Sequence, residues 1–226
     1  MDHSAGMRRI GGGLLALSGL GLFLAGAAHP QGASGNFSQT MASMLASPTW
    51  PIAHWLAIGS ALTIVWAVWL LADSGWTTAS VFSQLGARLV LVAGLFMAVE
   101  FAVELAAIPE AAAYAAGAPT PLGTLVESMQ AIGWPAFMLA FVLLIAGLPS
   151  SAPAAVRLVG VIGATAMGLG GLLTEGLHLV VAGPLFIGGN LLALWLVWAG
   201  VVVVRRGQAT AGSARRIERR EPALTT

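Results

Sequence analysis

The chain has 226 residues, of which 58% are hydrophobic and only 8% charged, and its net charge is +1. A soluble domain carries about 25% charged residues, so this composition excludes an ordinary soluble protein and indicates several membrane crossings. Cysteine is absent, which excludes disulfides and thiolate metal sites. All ten basic residues are arginine, and with the abundant alanine and glycine this is typical of a GC-rich bacterial genome.

Six apolar segments predict six membrane-spanning helices, each long enough to cross a hydrocarbon layer of about 30 Å with some tilt. The fold is therefore expected to be all-α, a six-span helical bundle. Residues 1–206 would form this membrane domain, and 207–226 a basic, disordered cytoplasmic tail. The spans are expected at about 9–28, 51–72, 85–107, 122–147, 156–180 and 184–204.

Arginine lies on only one side of this topology. Arg8 and Arg9 precede the first span, Arg88 opens the third, Arg157 opens the fifth, and six arginines lie between residues 205 and 220. The positive-inside rule then predicts that both termini are cytoplasmic, in the inner membrane of a bacterium. The arginine-rich tail is expected to contact anionic lipid headgroups.

The first span has a second interpretation. Residues 7–9, an apolar run and the small residues 25–28 resemble a signal peptide with its cleavage site. The apolar run is about 19 residues, longer than the usual 7–15 of a signal peptide. We therefore predict a retained helix.

The segment 29–50 has no charged residue, and its part 37–46 predicts a short interfacial helix with Phe37, Met41, Met44 and Leu45 on one face. Small residues recur four apart in the fifth span, which favours close helix packing there. The tryptophans expected to anchor the bundle at the two interfaces are Trp50, Trp55, Trp69, Trp76, Trp195 and Trp198.

The third span contains the least expected chemistry. Glu100 and Glu104 are four residues apart, so they lie on one face of the helix. They lie about 18 and 24 Å along the axis from Arg88, which places both in the outer half of the membrane. A carboxylate at that depth is costly and indicates a functional site by default.

Every other span adds a polar residue to the same outer half. His29, Gln130 and Asn190 are uncharged or interfacial, and Glu110 is expected to be solvated in a loop. Glu175 and His178 show the E-x-x-H spacing that supplies ligands in di-iron bundles. Without cysteine, such a set suits Zn, Mn or Fe. The residues predicted to bind a metal are Glu100, Glu104, His54, Glu127, Glu175 and His178.

The leading hypothesis is therefore a membrane protein that binds a cation, either a proton or a divalent metal, for transport or sensing. A second hypothesis is a b-type cytochrome subunit of a membrane oxidoreductase, with His54 and His178 as axial haem ligands. A third is a structural or assembly subunit whose polar cluster packs against a protein partner or a second copy. No phosphate-binding loop, zinc-protease motif or serine-hydrolase motif is present, and nothing in the chain indicates nucleic-acid binding.

Overall fold

The computed structural model describes residues 3–32, 36–78, 80–148 and 153–220, with side chains as far as residue 206. These residues form helices, turns and bends, with no strand among them. The helices are α1 (His3–Ala28), α2 (Phe37–Leu45), α3 (Trp50–Asp73), α4 (Val81–Ala106), α5 (Ala111–Ala116), α6 (Pro121–Ala146), α7 (Ala154–Gly171) and α8 (Gly188–Arg220).

Six helical segments in the described part of the chain are long and apolar enough to cross a membrane, which confirms the predicted six-span bundle. Helices are the expected form because lipid offers no partner for backbone polar groups, and a helix satisfies them internally. The segments are His3–Ala28, Trp50–Asp73, Val81–Ala106, Pro121–Ala146, Ala154–Gly176 and Val180–Arg206.

The six spans form a closed ring, because each packs on the next and α1 packs on α8. Successive spans are antiparallel. The Arg8 guanidinium at the start of α1 donates to the carbonyl of Ser74 at the end of α3, at 2.9 Å. We call the end of the bundle that carries residues 3 and 206 the terminal end, and the opposite end the distal end.

Glycines allow the closest helix contacts. A Cβ added at Gly19 of α1 would lie 2.6 Å from the carbonyl oxygen of Ala193 in α8, so only a hydrogen fits there. The predicted small-residue face of α7 is buried as well, and Gly160 lies against the indole of Trp195. Trp195 is 1% exposed, so it belongs to the core and is not the interface anchor that its position predicted.

The helix predicted over 37–46 is confirmed as α2, which begins with a reciprocal capping box between Asn36 and Gln39, whereas its place at a membrane interface stays a prediction. Its apolar face covers the distal end: Met41 and Leu45 form a small buried cluster with Trp50 and Tyr114. Trp50 is therefore buried too, which corrects its assignment as an interface anchor.

Glu110 is not simply solvated as the sequence predicted. Its two carboxylate oxygens accept hydrogen bonds from the backbone N–H groups of Leu122 and Gly123, at 3.0 and 2.8 Å. A carboxylate in this position complements the helix dipole and satisfies donors that have no partner within the helix. Glu110 thus fixes the start of α6 on the distal loop.

The fifth span does not continue as one α-helix to residue 180. After Gly171 the chain forms one short turn of π-helix, Leu172–Gly176, which we call the π-turn. A 3₁₀ segment, Val180–Ile187, follows it. His178 between them has a positive φ of 55°, which is uncommon for a residue with a side chain. Three glycines in the range 170–176 weaken the helix here, and the break redirects the side chains that follow.

Helix α8 continues to Arg220, whereas the sequence predicted disorder from residue 207. Residues 221–226 lie outside the described part of the chain. The division into a membrane domain and a cytoplasmic tail stays a prediction.

Candidate functional site

A buried pair of ionisable side chains joins α3 to α4. His54 and Glu104 are 3% and 4% exposed, and the Nε2 atom of His54 contacts a carboxylate oxygen of Glu104. The other ring nitrogen, Nδ1, lies 2.8 Å from the carbonyl oxygen of Trp50, one helical turn earlier. A carbonyl only accepts, so Nδ1 carries a hydrogen.

That hydrogen decides what the pair contains. With Nδ1 protonated, Nε2 is either a donor to an ionised Glu104 or an acceptor from a protonated Glu104. In both cases one proton lies between Nε2 and the carboxylate oxygen. Without it, two lone pairs would face each other in a site shielded from water. The contact between His54 and Glu104 therefore implies a bound proton.

Gln130 completes the environment of Glu104 from a third helix. Its amide nitrogen donates to the second carboxylate oxygen at 2.6 Å, and the residue is 2% exposed. Both oxygens of Glu104 thus have a partner, as a buried polar group requires. The pair is held by α3, α4 and α6, so its geometry depends on how the three helices pack.

Glu100 lies one turn deeper on α4 and is fully buried. Neither of its oxygens makes a hydrogen bond of ordinary geometry to any described residue, although Glu104 and Gln130 are its polar neighbours. An ionised carboxylate without a donor or counter-charge is costly in this environment. Glu100 is therefore suited to hold a proton beside the His54–Glu104 pair.

A third acid of this region, the partly buried Glu175, is held by a tryptophan. The indole N–H of Trp134 in α6 donates to Glu175 in the π-turn, at 2.6 Å. Trp134 is also surrounded by edge-to-face rings, with Phe186 at 5.9 Å and Phe101 at 6.3 Å between ring centres. The sequence analysis gave Trp134 no role. No spacing rule connects residue 134 to residue 175.

His54, Glu104, Trp134 and Glu175 line one cavity, of about 700 Å³, which we call the distal cavity. Its walls come from the end of α1, the segment after it, α2, α3, α4, α6, the π-turn and the 3₁₀ segment. The lining includes the polar residues His29, His54, Glu104, Thr174, Glu175 and Asn190, and the apolar residues Phe37, Met41, Met44, Phe101, Trp134 and Phe186. The His54–Glu104 pair can therefore be reached from this cavity.

His29 belongs to the same site, although its position predicted only an interfacial role. Its ring lies 5.3 Å from that of Trp50 and 5.6 Å from that of His54. Burial lowers the pKa of His29 below its ordinary value, and the nearby His54 lowers that pKa further. His29 is thus favoured in its neutral form beside the buried pair.

Glu127 and His178 form a separate pair nearer the surface. Nε2 of His178 lies 3.4 Å from a carboxylate oxygen of Glu127, and both side chains are partly exposed. Glu127 also accepts a hydrogen bond from the Tyr114 hydroxyl, and His178 stacks on Phe37 at 4.0 Å. Burial, and then the charge of Glu127, raises the pKa of Tyr114 to about 12. These contacts connect α6 and the segment that follows the π-turn to α5 and α2.

The six predicted ligands therefore do not assemble as one cluster. His54, Glu104 and Glu100 are together, Glu175 lies across the cavity with Trp134, and Glu127 and His178 are paired elsewhere. No group of three or more histidine or acidic side chains in the described ranges could hold a metal ion. A site for Zn, Mn or Fe gains no support from this arrangement and stays a prediction.

The haem hypothesis fits the residues poorly. Both ring nitrogens of His54 are engaged, one by the Trp50 carbonyl and one by Glu104. An axial ligand needs one nitrogen directed at the iron. No specific contact among the described residues favours the structural-subunit hypothesis either.

In comparisons with known proteins, the chain matches no protein-family model, and no characterised protein or solved structure is significantly similar to it. The function must therefore be argued from the site itself.

Proposed function

We propose that this integral membrane protein binds a proton reversibly at the His54–Glu104 pair and uses it in transport or sensing. The observation that carries the proposal is the contact between His54 Nε2 and Glu104, made while Nδ1 donates to the Trp50 carbonyl. A single proton is held between two groups of different chemistry. Its loss or gain would change the charge of a buried site.

The surroundings of the pair support exchange with water. His54 and Glu104 both line the distal cavity, so a proton can enter from that end of the bundle. The titratable groups that face the pair are His29 from the segment after α1, Glu100 from α4, and Glu175 from the π-turn. No arginine is among the described residues that line the cavity. Buried acids without a fixed cation are typical of proton relays.

We further propose that the distal end faces outward, since the arginines predict a cytoplasmic terminal end. The chain has no cysteine, so single cysteines can be labelled without background. Ala115 is exposed at the distal end and Thr78 at the terminal end. An impermeant thiol reagent added to intact cells should label Ala115→Cys and leave Thr78→Cys unlabelled. The reverse pattern would show that the cavity opens inward.

Proton binding can be measured by infrared difference spectroscopy of the purified protein during a pH titration. Wild type should show a carboxylic acid signal coupled to an imidazole signal, and both should change in Glu104→Gln and His54→Gln. Glu127→Gln is the matched control, because it removes a carboxylate that does not line the cavity. An identical pH difference spectrum in all four proteins would refute the proposal.

The choice between transport and sensing needs a flux measurement. Proteoliposomes that contain a pH-sensitive dye would acidify under an imposed potential if the protein carries protons. A carrier should lose this flux in Glu104→Gln and keep it in Glu127→Gln. A sensor should show the infrared signal without any flux above that of protein-free vesicles.

A further inference from the structure

The distal cavity has an unusual combination of walls. Its volume of about 700 Å³ lies within the range of cavities that hold drug-sized molecules. Four aromatic side chains and two methionines form apolar walls, and the only described ionisable groups are two acids and two histidines. The cavity is therefore suited to a molecule that is largely apolar and carries no negative charge.

The two acids of the cavity differ in their partners. Glu104 has a hydrogen-bond partner on each oxygen, His54 on one and Gln130 on the other. Glu175 accepts one hydrogen bond, from the neutral indole of Trp134, and no described residue donates to its other oxygen. Glu175 lacks a basic partner among the described side chains, so its charge would be compensated best by a cation from a ligand.

A polar group beside Glu175 also lacks a partner. The hydroxyl oxygen of Thr174 is buried, lines the cavity, and makes no hydrogen bond to any described residue. A buried hydroxyl without a partner costs free energy, which a polar ligand group can offset. Thr174 and Glu175 both belong to the π-turn, and π-turns occur frequently at functional sites.

Aromatic rings lie close to Thr174 and Glu175 in the wall of the distal cavity. The rings of Phe101 and Phe186 approach that of Trp134 edge to face, and Trp134 holds Glu175. Aromatic faces attract organic cations, most strongly where water is excluded. Met41 and Met44 of α2 are flexible and can adapt to an irregular apolar body.

We propose that the distal cavity binds an organic cation with an apolar, ring-containing body, whose positive charge lies beside Glu175 among the aromatic rings. This inference rests on the proposed function in that it places cation binding at the same end of the bundle. It names the class of molecule whose binding would be coupled to proton binding, in a carrier or in a sensor. Metal ions do not share this preference, because they need several convergent ligands.

The probe is tetraphenylphosphonium, whose charge does not depend on pH. Its binding to purified protein in detergent is measured with radiolabelled compound by a scintillation proximity assay. Tetraphenylborate, which has the same shape and the opposite charge, is the competitor control. Wild type should bind the cation saturably, and the anion should compete at least about tenfold less well, a difference of about 1.4 kcal/mol.

Three variants locate the site. Glu175→Gln should bind the cation at least about tenfold more weakly. Trp134→Leu should lose roughly two- to thirtyfold, the range expected for an aromatic wall against a cation. Asp73→Asn removes the same charge at the exposed terminal end of α3, so its affinity should equal that of wild type. If Glu175→Gln does not fold, Trp134→Leu and the anion comparison still decide.

Equal affinity for cation and anion, unchanged binding in both cavity variants, or no saturable binding in wild type would overturn the inference. Its failure is distinguishable from failure of the proposed function. A pH difference spectrum that depends on His54 and Glu104 would retain proton binding even if the organic cation does not bind. Cation binding that depends on Glu175, without that spectrum, would retain the cavity ligand and remove the proton.

Discussion

The variants Glu104→Gln and His54→Gln should differ greatly in their effect on the free energy of unfolding. In Glu104→Gln, the new amide can donate to Nε2 of a neutral His54 and accept from Gln130, which keeps every partner seen in the structure. All groups are then neutral and hydrogen-bonded, and such replacements of buried ion pairs are often neutral or stabilising. We expect a change in unfolding free energy of less than about 1 kcal/mol.

His54→Gln instead leaves the Glu104 carboxylate buried with neutral partners only. Breaking a buried pair in this way costs about 3–5 kcal/mol. The cost is limited by proton uptake: neutralising a glutamate of ordinary pKa, about 4.3, at pH 7 requires about 4 kcal/mol. For a chain of this length, that lowers the melting temperature by on the order of 10 °C.

The sign of the pH dependence follows from the same step. The folded His54→Gln protein holds a proton on Glu104 that the unfolded chain has released, so its stability falls as pH rises. Lowering the pH should therefore recover about 1.4 kcal/mol per pH unit until the unfolded glutamate also becomes protonated. The double variant, which combines His54→Gln with Glu104→Gln, should be nearly as stable as Glu104→Gln, since the pair then contains no buried charge to neutralise.

Thermal unfolding in detergent, followed by circular dichroism from about pH 5 to about pH 8, measures all four proteins. The decisive quantity is the coupling free energy of the double-mutant cycle, which we expect to be several kcal/mol at neutral pH. Additive effects at every pH, or an equal loss of stability in both single variants, would show that no proton is shared between the two side chains.

Tyr114, Gly19 and His29 each allow a further test. Tyr114 is the only tyrosine of the chain, so the absorbance of tyrosinate reports one phenol. Its pKa should be about 12 in wild type and nearer the ordinary value of 10 in Glu127→Gln. Ionisation near pH 10 in wild type would contradict this prediction. Gly19→Ala should destabilise the bundle, because the added Cβ would meet the α8 backbone. Gly13→Ala has open space around it and should be neutral or stabilising by up to about 1 kcal/mol. Equal melting temperatures of the two variants would contradict the close packing of α1 on α8. Because burial lowers the pKa of His29, the unfolded chain binds the proton more tightly, and the stability of the folded protein falls as pH drops below about 6.5. This loss of stability in acid should be smaller in His29→Gln. An equal loss in both proteins would exclude His29 as its cause.

The spans were predictable because lipid imposes a simple rule on them. An apolar run of about 20 residues in this setting has few alternatives to a helix, and all six were found. The short helix α2 was also predictable, since Phe37, Met41 and Leu45 recur at helical spacing. The π-turn was not, because the sequence 170–183 is apolar apart from Thr174, Glu175 and His178, and periodicity alone does not show how several glycines will break a helix.

The site was predictable in depth but not in direction around the bundle. Residue number along a span gives depth, and the predicted acids do gather near the distal end. Which helix face meets which neighbour depends on packing across the ring. The sequence therefore grouped Glu127 with Glu104, whereas the structure pairs Glu127 with Tyr114 and His178. That Trp134 and His29 belong to the site depends on the same packing, so residue spacing alone did not predict it.

The arrangement of charges predicts that the proton and the proposed organic cation compete. When the His54–Glu104 pair holds its proton, its net charge is zero, and when the proton leaves, the pair carries one negative charge on the wall of the distal cavity. Loss of the proton should therefore strengthen binding of tetraphenylphosphonium. Linkage requires that the cation weakens proton binding by the same factor, and typical couplings between two sites are about 5- to 150-fold. Because the probe's own charge is independent of pH, its affinity in wild type should rise with pH, while in Glu104→Gln it should be flat over the range in which the pair titrates. An affinity that is independent of pH in wild type would mean that the two sites share a cavity without exchanging their ligands.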